Sequence, residues 1–211
     1  MMTWCSRRMG RAFVPKGGFL TTVLKGGAAT LAALTLTAQP GWTIPGQTVT
    51  LTESWIRNNP TLNPAPNERL TINRIVVPGQ RFTFQASVFP ISGVSPGGNR
   101  REIRTEQFSL VDYANPITPN RLDESLRAIY GQDIFNDYRE GAVRLSYPAR
   151  GARPAPTDNP NLVLRGEVRQ GEQFAYWQEI AYDRTGTAYL GRMAIFLKAD
   201  LPALEAQLAP Q

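Results

Sequence analysis

Histidine is absent from all 211 residues, and cysteine occurs once, as Cys5. Without imidazole there is no Ser-His-Asp or Cys-His nucleophile, no imidazole base and no His-ligated metal. One thiol excludes an intrachain disulfide and a cysteine-built metal site. Lysine is scarce as well: beyond residue 38 the only one is Lys198, beside 17 arginines. No apolar run approaches the roughly 20 residues that a spanning helix needs. Together these gaps point away from a cofactor-dependent enzyme and from a transmembrane span. They leave peripheral membrane association open, and a carboxylate-dependent hydrolase as the surviving catalytic chemistry.

The positive charge that is present lies mostly at one end. Arg7, Arg8, Arg11, Lys16 and Lys25 precede residue 39, and no acid accompanies them. They are followed by the apolar run "GGAATLAALTLTA", which closes on Ala38 before "QPGW". A charged stretch, a short apolar run and a small terminal residue make a secretory signal peptide, with cleavage expected between Ala38 and Gln39. Ser6-Arg7-Arg8 also resembles the start of a twin-arginine export signal, although Gly10 stands where that pattern prefers a bulky apolar residue. The expected destination is the periplasm, the extracellular space or, in a phototroph, the thylakoid lumen.

Removing that segment changes the charge argument. The whole chain carries 23 basic and 17 acidic residues, a net of +6; residues 39–211 keep 18 basic residues against the same 17 acids, a net of +1. The high overall isoelectric point therefore does not indicate nucleic acid, because the basicity sits in the export segment.

The remainder reads as a leader (39–46) and one α+β domain (47–211), long enough for a substantial core. Alternation predicts strands at 47–56, 69–77, 80–89 and 101–113, with Pro78-Gly79 turning between the second and third. "TPNRLDESLRAIYG" predicts a central helix capped by Thr118 or Asn120 and ended by Gly131. Leu122, Leu126, Ile129 and Tyr130 form its apolar stripe, and "DIFNDYRE" extends it by another turn. Strands at 142–147, 161–169, 173–183 and 187–197 follow, then a short C-terminal helix capped by Asp200. Both faces of the last hairpin are apolar, so both are expected to be covered. The expected architecture is a mainly antiparallel sheet with a central and a C-terminal helix, or else an eight-stranded lipocalin-like β-barrel.

Candidate sites are sparse. Asp133, Asp137 and Glu140 recur at helical spacing but lack the alternating acids and central glycine of a calcium loop, so a solvated helix face is expected. "SPGGNRRE" has the glycines of a phosphate cradle without its Gly-Lys-Ser/Thr, and reads as a hairpin loop. Glu179 and Asp183 are a conceivable acid–base pair, better explained as strand and turn polar groups. Tyr176, Trp177 and Tyr182 are the candidate wall of an apolar ligand pocket. Arg100, Arg101 and Arg104 form the densest basic cluster after residue 38 and the candidate partner contact, with Arg150 and Arg153 second. The expected function is a non-catalytic accessory or structural protein binding a partner protein or complex outside the cytoplasm. A carrier of a small apolar ligand is the alternative.

Overall fold

The computed structural model describes residues 45–93, 101–148 and 161–209. The expected export segment with Ala38 and Gln39, most of the expected hairpin loop "SPGGNRRE" including Arg100, and Arg150 and Arg153 lie outside the described residues.

Two meanders meet in the middle of one sheet. The first is β1 (Thr71–Val77), β2 (Gln80–Ser87) and β3 (Thr105–Asp112). The second is β4 (Ala142–Tyr147), β5 (Val163–Gln170), β6 (Ala175–Tyr182) and β7 (Ala188–Phe196). Every neighbouring pair is antiparallel, and the order is β1-β2-β3-β7-β6-β5-β4. Between the meanders, α2 (Pro119–Tyr130) and α3 (Gln132–Glu140) carry the chain from β3, at the sheet centre, to β4 at the far edge. The mixed α/β class and the antiparallel sheet are as expected. The barrel is not: the sheet stays open, with β1 and β4 as its two edges.

The expected strand at 47–56 is a helix, α1 (Val49–Asn58), so among the described residues seven strands form instead of the expected eight. Thr48 starts it by accepting the Leu51 N–H on its side chain. Thr52 and Ile56 are buried, and Val49 and Trp55 pack against the core beside them. That spacing is a helical stripe; the alternation at Val49, Leu51 and Trp55 suggested a strand, but Leu51 is 54% exposed. Packing of this stripe outweighs the β preference of the threonines. Gly79 adopts φ +88° in the Pro78-Gly79 turn, a conformation that suits glycine.

The two faces of the sheet are treated differently. One is covered from β1 to β6 by α1, α2 and α3, over Ile72, Phe84, Phe108, Met193, Ile195, Tyr176 and Ile180. The other is covered towards its β4 edge, where α4 (Leu201–Leu208) sets Leu201 and Leu204 against Val168, Trp177, Ala194 and Phe196, with Ile91, Leu145 and Tyr147 packed beside them. Both apolar faces of the β6–β7 hairpin are thus largely buried, except towards Leu190, which is 42% exposed. Among the described residues no helix is long and apolar enough to cross a membrane.

Candidate interaction surface

Most residues singled out from the sequence are used up inside the fold. Tyr176 is fully buried on the helix-covered face, Trp177 is buried on the opposite one, and Tyr182 is partly exposed. Strand alternation separates Trp177 from the two tyrosines, so the three do not line one cavity. The Tyr176 hydroxyl donates to Asp137 Oδ2 at 2.5 Å, and burial together with that carboxylate pushes its pKa up. Asp137 also accepts the N–H groups of Gln173 (3.0 Å) and Phe174 (3.2 Å). It therefore fastens α3 to the β5–β6 turn, whereas Asp133 and Glu140 are exposed. The expectation of a solvated helix face fails at Asp137, because packing turns that position inward. Among the described residues no group of three or more acids is placed to hold a metal ion.

Arg104 is likewise committed. Its Nε donates to Asp200 Oδ2 at 3.1 Å and a terminal nitrogen pairs with Oδ1, a bidentate bridge with Asp200 almost fully buried. Asp200 was expected to cap α4 with its side chain; it makes no such bond because Arg104 occupies both oxygens. The Arg101 carbonyl receives the Val49 N–H at 2.9 Å. Asp183 closes the β6–β7 turn, accepting from the Thr185 hydroxyl and from the Thr185 and Thr187 N–H groups, which hold its pKa down.

Glu179 enters a network that crosses the sheet in one row, Tyr147–Gly166–Glu179–Arg192. Tyr147 reaches over β5 to donate its hydroxyl to Glu179 Oε2, while that hydroxyl accepts Trp177 Nε1–H at 2.7 Å. A Cβ at Gly166 would overlap the Tyr147 ring, so the row requires glycine there. Arg192 pairs with Glu179 Oε1 at 2.9 Å and lies over the Trp177 ring, 3.9 Å from its centroid. Burial and the neighbouring carboxylate push the Tyr147 hydroxyl up, which keeps it a donor. Glu179 accepts from both sides and faces no second carboxyl; the network is built to hold position.

Among the described residues, the second sheet face beyond α4 is left uncovered. Across it Ile75, Arg81, Val111 and Leu190 stand opposite one another on β1, β2, β3 and β7. Ile75 is 69% exposed, Leu190 42%, and Tyr113, just past β3, 70%. A groove of about 350 Å³ runs between the β1–β2 turn and this row, lined by Ile75, Pro78, Gly79, Gln80, Arg81, Val111 and Tyr113. Arg81 is the only charge in that lining, and no carboxylate among the described residues pairs with it. Farther along, the same face is polar: Thr83 bonds Asn73 at 3.2 Å and Gln107 approaches Gln85 at 3.4 Å.

The outer edge of β1 is less available than its face. Glu68 takes the Asn73 N–H at 2.8 Å, and the pairing with β2 is irregular between Ile75 and Val77. A plugged donor and a bulge both hinder addition of another strand.

No family model matches the chain, no curated protein matches it, and no solved structure matches its fold.

Proposed function

We propose that the protein is a non-catalytic binding module that acts after export and docks a partner protein on the open end of its sheet. The occupant is an extended, apolar segment that carries an acidic side chain. The single observation that carries the reading is the groove at Ile75, Val111 and Tyr113: apolar, exposed, and charged only by Arg81, which pairs with no carboxylate among the described residues. Exposed apolar surface of this kind, rimmed by polar groups, marks interaction sites. A lone arginine in an apolar setting favours a carboxylate, which it engages with a planar fork. A small enclosed ligand fits less well. Such ligands are usually buried over most of their surface, and this groove is walled only by the sheet and one turn. Face docking is also favoured over strand addition by the plugged edge at Asn73.

Export is supported by the unbalanced basic stretch and the apolar run ending at Ala38. Intact-mass measurement of the protein recovered outside the cytoplasm should show loss of the residues up to Ala38; retention of Met1 and Cys5 would refute it. The docking reading is tested by a photo-crosslinking residue placed at Leu190 or Tyr113, and separately at Glu124 on α2, in the source organism. The expected result is one discrete crosslinked protein from the first two sites, lost when Arg81 is replaced by Glu, and none from Glu124. Equal crosslinking at all three positions, or at none, would overturn it.

A further inference from the structure

Asp112 ends β3 beside the groove and lines none of it. Its side chain is only 3% exposed, yet both carboxyl oxygens are occupied. Oδ1 accepts the Ala114 N–H at 3.0 Å and the Asn115 N–H at 2.9 Å, which closes the turn that follows Tyr113. Oδ2 accepts Gln80 Nε2 at 3.2 Å from β2 and the Arg121 guanidinium at 2.9 Å from α2, with Asn115 Nδ2 beside them at 3.5 Å. Arg121 extends the same cluster by donating to the Asn115 carbonyl at 3.0 Å and the Pro116 carbonyl at 3.2 Å.

Two walls of the groove hang on this carboxylate. Gln80 stands opposite Asp112 in the β2–β3 register and is gripped by its side chain. Tyr113 lies between Asp112 and the turn that Asp112 closes, and its N–H is fixed on the Gly79 carbonyl at 3.1 Å. A ring that is 70% exposed is thus carried on tied backbone, 5.8 Å from the ring of Tyr189. Groups held in place in advance lose little freedom on contact, and rigid aromatic side chains are effective anchors for that reason. Burial alone would raise the Asp112 pKa, but the Asn115 N–H, Arg121, the Ala114 N–H and Gln80 hold it down to about 2. The cluster is therefore charged, and intact, throughout the neutral range.

We infer that Asp112 is the positioning residue of the groove: without touching the occupant, it fixes Gln80 and Tyr113 as preformed walls and ties them to α2 through Arg121. The inference rests on the docking reading above. It gives the first turn of α2, an element of the covered face, a part in docking on the open one.

The probe is a peptide selected by phage display on the unaltered full-length protein and dependent on Arg81, its affinity read by fluorescence anisotropy. Asp112→Asn can keep Oδ1 on the turn while it turns an amide donor towards Gln80 and Arg121, so it cuts the grip and spares the turn. It should weaken the peptide by roughly fivefold, the effect of having to order one freed side chain on binding. Asp112→Ala removes both sets of bonds and should weaken it further; Asp112→Asn decides where Asp112→Ala does not fold. Asp200→Asn breaks the buried Arg104 bridge at the other end of β3, and should lower the melting temperature while the peptide binds as before. Unchanged affinity in Asp112→Asn would overturn the inference and leave the docking reading standing. So would an equal loss in Asp200→Asn, which would make the effect one of global stability. A selection that yields no Arg81-dependent peptide would remove the docking reading, and the inference with it.

Discussion

The two faces of this sheet carry similar strands and opposite fates. β3 shows the contrast within eight residues: Glu106 and Phe108 point under the helices and are buried, whereas Gln107, Ser109 and Val111 point to the other side and stay partly exposed. On the first face α1, α2 and α3 consume the apolar surface; on the second α4 reaches the β5–β7 corner and stops. The covered face therefore serves stability, and the apolar end left uncovered among the described residues is where we place the contact. An apolar residue on this sheet is informative about function only where no helix lies on it.

That contrast can be broken most forcefully at Phe84, which is fully buried beneath the helices. Phe84→Ala should cost about 3–5 kcal/mol by emptying a packed site. Ile75→Ala on the open face should change stability by less than about 0.5 kcal/mol. Chemical denaturation of the two variants decides; comparable losses would mean that the open face is covered in solution.

A second test sharpens the difference through pH. Glu106 has a folded-state pKa of about 8, above its ordinary value of 4.5. Between those values the folded protein holds a proton that the unfolded chain has released. The stabilisation is complete below pH 4.5 and falls as pH rises towards 8, by on the order of a few kcal/mol. Glu106→Gln should flatten this slope in denaturation series at pH 5, 6.5 and 8. An unchanged slope would show that other groups carry it.

The smaller side of the second face offers a third. Gly166→Ala should displace the Tyr147 ring, leaving Trp177 Nε1 and Glu179 short of a partner. A loss of about 1–3 kcal/mol is expected from overpacking, with a changed near-ultraviolet dichroism from Trp177. The smallest effect on folding, and the largest on binding, is expected from Ile75→Asp with Leu190→Asp. Melting should barely move, while the crosslink from Tyr113 disappears.

Much of the sheet was legible because its strands alternate cleanly and its turns carry Pro78-Gly79 and Asp183-Arg184-Thr185-Gly186. α2 was legible from Thr118, Gly131 and the stripe between them. α1 was not, since threonines at Thr48, Thr50 and Thr52 imitate a strand until tertiary packing selects the helical stripe. The site was less legible than the fold. Arg104 and Tyr176 look available in the sequence, and only pairing between residues distant in the chain commits them to Asp200 and Asp137. Two signals were nonetheless present. Glu106 shares its strand parity with Phe108 and Leu110, which places an acid on an apolar face. Gly166 interrupts a strand and marks where another side chain crosses it. The exposure of Ile75, Tyr113 and Leu190 had no sequence signal, because it depends on where α4 ends.

Peptide selection by phage display on the immobilised full-length protein tests the central claim most directly. The account predicts a consensus of apolar residues with one Asp or Glu, binding that fails in Ile75→Asp with Leu190→Asp, and a swap to Lys or Arg when Arg81 is replaced by Glu. A consensus indifferent to Arg81, or one that maps by hydrogen exchange to the helix-covered face, would contradict it.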